Sequence, residues 1–202
     1  MYHSGVVIVN SNMILRQRID YFKNLSQAHP VKWFLLAFVL FLFTALLMRI
    51  YSSCLITLYT PLGIIDLELA FNNAWAQKII QVWQATSCKG LFGLTSNSVD
   101  AAVLNIVFDF PFVLSYTFLL IELVLLSASR KNISRFTIGL IYICLLAAIL
   151  DAIENFFMLL FIYGAIETSY WFAIPSVLKF SMIGILILII FIRIPVRIHN
   201  RS

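Results

Sequence analysis

The sequence predicts an all-α integral membrane protein, a four-helix bundle with an extracytoplasmic loop that carries a short amphipathic helix. Three observations predict it. Charged residues make up 11% of the chain and hydrophobic ones 62%, where a soluble domain carries about a quarter charged residues. Four apolar runs, near 32–51, 102–127, 136–163 and 172–193, each reach the roughly 20 residues needed to cross a hydrocarbon core. The runs are continuously apolar and lack the period-2 alternation of a barrel, so helices must satisfy the backbone within the bilayer.

Charge sets the expected orientation. Arg16, Arg18, Lys23 and Lys32 precede or open the first run; Arg130, Lys131 and Arg135 link the second to the third; Arg193, Arg197 and Arg201 follow the fourth. Four crossings put all ten on one side, and the positive-inside rule makes that side the cytoplasm, with both termini in it. The expected location is the cell membrane, multi-pass. The basic clusters flank membrane runs and accompany no nucleic-acid-binding motif, so no nucleic-acid partner is expected.

Residues 1–30 read as a cytoplasmic tail. Ile14, Leu15, Ile19 and Phe22 recur at helical spacing between polar residues, which suits an interfacial helix or equally a loosely ordered tail. His29-Pro30 ends it. The membrane domain covers 31–195, including an outer loop over 52–101, and 196–202 form a basic cytoplasmic tail. The thirty-residue lead and the lack of an A-x-A site argue against a cleaved signal peptide.

The outer loop has two parts. Leu55 to Ile65 is rich in β-branched and aromatic residues around Pro61 and Gly63, and reads as extended chain with a turn. Asn73 to Gln84 reads as a helix capped by Asn72 or Asn73. Its apolar face is Trp75, Ile79, Val82 and Trp83, and both tryptophans suit the membrane–water boundary. This helix is expected to lie across the mouth of the bundle. Cys54 and Cys88 fall in the same loop and Cys144 in the third run. An extracytoplasmic loop permits a disulfide, but spacing alone does not say whether Cys54 and Cys88 approach.

The runs carry ionisable groups that are costly in hydrocarbon and therefore candidate functional residues. The third has Asp151, Glu154 and Asn155 on one face, at i, i+3 and i+4. In the second, Asn105, Asp109, Phe112 and Tyr116 share a face. Pro111 there leaves the carbonyl of Val107 without its usual donor, and a kink is expected beside Asp109. The fourth has Pro175 in its first turn and Lys179 one turn later. Counting about 1.5 Å per residue puts Asp151 near the midplane, with Glu154, Asp109 and Lys179 roughly 5–7 Å outward of it. Asp109, Glu154 and Lys179 are thus expected to form one polar cluster with Asp151 just below. Three carboxyls and one lysine call for a bound proton or cation to balance them. The histidines, His3, His29 and His199, all lie in the tails. A histidine-containing metal site in the bundle is therefore not expected, while an oxygen-only cation site stays open. No cofactor is indicated.

Leu67-Glu68-Leu69-Ala70 followed by Trp83, Asp109-Phe110-Pro111-Phe112 with Tyr116, and Asp151-x-x-Glu154-Asn155 resemble the marks of a group of small uncharacterised four-span bacterial integral membrane proteins. The resemblance covers roughly residues 55–165 and supplies no reaction. It draws in Glu68 as a further partner of the cluster.

Three functions compete. The first is an outer-leaflet-facing pocket that binds or processes a lipid-like or cationic ligand. Asp109, Asp151 and Glu154 are its candidate acids and bases, and Glu68, Asn105, Tyr116, Asn155 and Lys179 its candidate ligand contacts. The second is proton or cation transport along the acidic face, with homodimerisation open because four spans make a small pore. Glu122, the one acid on the inner half of the second run, stands about 140° from Asp109 around that helix, which favours a closed pocket. It could pair with Arg130 or Lys131. The third is a non-catalytic accessory or assembly subunit. Neither a G-x-S-x-G nor a P-loop motif occurs.

Overall fold

The computed structural model describes residues 30–89, 95–128 and 134–199. Four long helices are apolar enough to span a membrane, over Val31–Leu55, Ser98–Ser127, Arg135–Ile162 and Tyr170–Arg193. They belong to α1 (Pro30–Ser52), α4 (Ser98–Ser127), α5 (Arg135–Ile162) and α6 (Tyr170–His199). Two short helices, α2 (Ile64–Glu68) and α3 (Asn73–Ala85), lie between α1 and α4. The protein is a multi-pass membrane protein, all-α, with its lipid-facing surface on the bilayer. The expected interfacial helix of the N-terminal tail and the pairing of Glu122 with Arg130 or Lys131 lie outside the described residues.

Local chemistry sets the helix starts. The Asn72 side chain accepts from the backbone N–H of Ala74 and Trp75 at the head of α3, Asn97 accepts from Asp100 at the head of α4, and Ser134 from Thr137 at the head of α5. The fourth span starts at Tyr170, two residues before the expected 172. Pro175 therefore lies in its second turn, where it leaves the Trp171 carbonyl without its usual helical donor.

The four spans pack in chain order. α1 lies on α4, α4 on α5 and α5 on α6, while α1 and α6 make no comparable contact. A seam thus runs between the first and last spans, floored by α4. Thr44 and Ser115 join α1 to α4 through their hydroxyls at 2.7 Å. Nearer the α2–α3 end, Asn105 donates to the Met48 carbonyl and to Ser52 at 3.1 and 2.9 Å. The apolar core has two layers. One, around Leu67, Ile79, Trp83, Ile106, Met158 and Phe172, joins the spans to the loop between α1 and α4. The other, around Leu120, Val124, Cys144 and Leu186, joins the spans nearer the termini. Asp109, Asp151, Glu154 and Lys179 lie between these layers in their own helices.

The described residues 53–89 and 95–97 form a folded roof. Cys54 and Cys88 are bonded as a disulfide, with Cα atoms 5.8 Å apart. Trp83 is fully buried and donates from Nε1 to the Leu55 carbonyl and to Thr60 Oγ1 at 3.1 and 3.2 Å. Residues 55–65 are not simply extended. A 3₁₀ turn ends at Leu55, bends follow, and Gly63 at φ +67° turns the chain into α2. The inward face of α3 is Ala76, Ile79, Ile80 and Trp83, whereas Trp75 is 42% exposed. That face is rotated from the expected one, because close packing on the bundle selects Ala76, and Trp75 is left at the edge. Asn73 accepts from the Ser169 N–H and hydroxyl, which ties α3 to the turn between α5 and α6.

Candidate functional site

Lys179 is the centre of the site. It enters from α6 one turn beyond Pro175, is 4% exposed, and faces three carboxyls. Its Nζ lies 2.6 Å from Asp151 Oδ1, 2.7 Å from Glu154 Oε2 and 3.7 Å from Glu68 Oε2. The first is a charge-assisted hydrogen bond, the second a close ion pair in which Glu154 Oε2 accepts no hydrogen bond, and the third is too long for a hydrogen bond. Asp151 and Glu154 come from one face of α5 and Glu68 from the end of α2. Asp151 also accepts from the Tyr116 hydroxyl at 2.8 Å, and Asn155 donates its amide to Asp109. Glu68, Tyr116, Asp151 and Glu154, from three helices, therefore form a network around the ammonium supplied by a fourth, with the Asn155–Asp109 pair beside it.

Three expected details change. Asp151 does not sit below the cluster but makes the shortest ion pair in it. Asp109 meets Asn155 rather than Lys179 directly. Asn105, expected at the site, is one turn away and occupied by Met48 and Ser52 of α1. Glu122 is buried on α4 nearer the termini.

The acids outnumber the protein's donors. Glu154 is completely buried and neither of its carboxyl oxygens receives a hydrogen bond; Oε2 of Glu68, which is 7% exposed, receives none either. Buried oxygens of this kind cost free energy unless a proton or ligand meets them. Burial holds the Glu68 carboxyl above the usual carboxylate range, against the pull of Lys179 and with a further push from Asp151. Among the described residues, no three His, Cys, Asp or Glu side chains are arranged to hold a metal ion.

A cavity of about 720 Å³ opens beside the network, within the usual range for ligand pockets. It occupies the seam between α1 and α6, with α4 as its floor and α2 at one end. Glu68, Asp109, Tyr116, Asp151 and Lys179 line its polar end, with Arg49 and Ser52 on the α1 side. The remainder is apolar, from Phe112 and Leu120 on α4 to Ile183 and Phe191 on α6. From Lys179 to Phe191 the wall runs roughly 18 Å at helical rise. Glu154, Asn155 and Asn105 stand outside the lining. Glu154 can act on an occupant through Lys179, Asn155 through Asp109 and Asn105 through Ser52.

Spacing pointed to Asp109, Glu154, Asn155 and Lys179 but not to Arg49, which lines the cavity from the end of α1. Its signal was present as a cation interrupting the end of an apolar run. The L-E-x-A, D-F-P-F and D-x-x-E-N segments do meet in space at this network. No family model, curated protein or solved structure matches the chain.

Proposed function

We propose that the protein binds a single membrane amphiphile in the seam between α1 and α6, with its headgroup at the Lys179 network and its chain along the apolar wall. One observation carries this reading: a cavity of about 720 Å³ that joins buried charge at one end to a continuous apolar wall between two spans that do not pack together. The roughly 18 Å of wall below Lys179 compares with half of a hydrocarbon core about 30 Å thick. One leaflet's worth of chain therefore fits along it. The positive-inside bias puts the polar end in the outer leaflet of the cell membrane and both termini in the cytoplasm. The chain belongs, on this reading, with the small bacterial four-span proteins its motifs resemble.

Processing of the occupant is chemically available. Asp109 and Asp151 face the cavity, and a carboxyl that holds a proton beside one that does not forms an acid–base pair. Transport is less well supported, because Glu122 is not in the cavity wall and the lining acids stop at one end.

The test is retention of lipid. The protein, extracted in mild detergent and washed, is examined by native mass spectrometry beside Leu120→Trp and Ile183→Trp, which fill the apolar wall. Stoichiometric lipid on the unsubstituted protein, lost in both variants with the fold intact, is the expected result. Equal retention by all three overturns the groove reading.

A further inference from the structure

The polar end of the cavity carries three carboxyls, Glu68, Asp109 and Asp151, against two cations, Lys179 and Arg49. They are not equally available. Lys179 is engaged at 2.6 and 2.7 Å by Asp151 and by Glu154 behind it. Glu68 is more than nine-tenths buried, lines the cavity, and its Oε2 accepts no hydrogen bond. Asp109 lines the cavity with one oxygen on Asn155. Arg49 is exposed on the α1 wall and makes no ion pair among the described residues. The site therefore offers one unengaged cation at its mouth and two carboxyls with acceptor capacity within.

We propose that the occupant is an aminophospholipid, with its phosphate on Arg49 at the mouth and its primary ammonium donating to Glu68 and Asp109. The inference rests on the groove reading and specifies its headgroup. A guanidinium at a membrane boundary is suited to phosphate. An ammonium supplies the three N–H donors that buried carboxylate oxygens need. A headgroup carrying only negative charge supplies no ammonium to the Glu68 and Asp109 oxygens and enters an end where three carboxyls stand against two cations, a mismatch that costs more where water is excluded. A quaternary ammonium offers charge but no N–H, so it leaves the Glu68 oxygen unmet.

The experiment is a competition among lipids with identical acyl chains. Delipidated protein in nanodiscs receives phosphatidylethanolamine, its monomethyl and dimethyl derivatives, phosphatidylcholine and phosphatidylglycerol in equal amounts. Retained species are counted by native mass spectrometry. The expected order falls stepwise with each lost N–H, with phosphatidylethanolamine about tenfold above phosphatidylcholine, the equivalent of one hydrogen bond to a charged group. Phosphatidylglycerol is the least retained. Glu68→Gln flattens the series, and Arg49→Gln lowers every phospholipid together. The methylation series uses the unsubstituted protein, so it decides the matter even where a variant fails to fold. Equal retention across the series, or preference for phosphatidylglycerol, overturns the headgroup assignment and leaves the groove intact. No retained lipid of any kind, or retention unchanged by Ile183→Trp, overturns the groove itself.

Discussion

Lys179 Nζ and Asp151 Oδ1 lie 2.6 Å apart between α6 and α5, and both residues are almost fully buried. Neither charge has access to bulk water, so each depends on the other. Lys179→Met strands Asp151 and Glu154, and the expected loss is about 3–5 kcal/mol. Adding Asp151→Asn to Lys179→Met recovers part of it, giving a coupling of about 1–3 kcal/mol in a double-mutant cycle. The cycle with Glu154→Gln behaves alike, and that with Asp109→Asn shows less, because Asp109 is held by Asn155. Thermal denaturation in detergent measures all three. Strict additivity of Lys179→Met with Asp151→Asn refutes the pair.

Glu68 gives the roof a pH dependence of definite sign. Its folded-state carboxyl titrates above the ordinary value of 4.5, chiefly through burial. The folded state therefore holds this proton more tightly than the unfolded chain does. The resulting stabilisation is complete below the unfolded value and is lost as pH rises through the folded one. Glu68→Gln, which is neutral throughout, should match the unsubstituted protein near about pH 4 and gain on it towards about pH 9. Melting temperatures across that range test the sign. A gap that moves the other way shows an ionised Glu68 to be the favoured form.

The Cys54–Cys88 disulfide closes the roof over 34 residues. Replacing both cysteines with serine should cost about 2–4 kcal/mol. The same loss should follow reduction of the unsubstituted protein. Thiol labelling after denaturation checks the bond directly: one reactive cysteine, Cys144, is expected before reduction and three after it. Three before reduction means that the bond is not made.

Orientation is tested by single cysteines in a serine background. Lys78→Cys, on the exposed side of α3, should react with an impermeant maleimide added to intact cells. Ser202→Cys should react only after permeabilisation. The reverse pattern inverts the topology and places the polar end of the cavity in the opposite leaflet.

Much of this site was legible because helices in a membrane have a nearly fixed pitch and a common frame. Counting 1.5 Å per residue is enough to bring Asp109, Glu154 and Lys179 to one level. It misplaces Asp151 because Cα depth is not charge depth: the long lysine stem carries its ammonium away from its own Cα. Asn105 shares a face with Asp109 but stands one turn away, where α1 rather than α5 is within reach. Glu68 could not be positioned from spacing, since its approach depends on Gly63, the disulfide and the burial of Trp83. The seam was also invisible, because it arises from two helices that do not pack together.

That seam has a consequence for what controls occupancy. On the proposed reading an occupant enters sideways from the hydrocarbon and never passes through bulk water, so its aqueous solubility is irrelevant to its capture. The relevant concentration is its mole fraction in the surrounding leaflet, and bound and free molecules exchange by lateral diffusion in two dimensions. A change in lipid composition around the protein then alters its loading directly, by mass action.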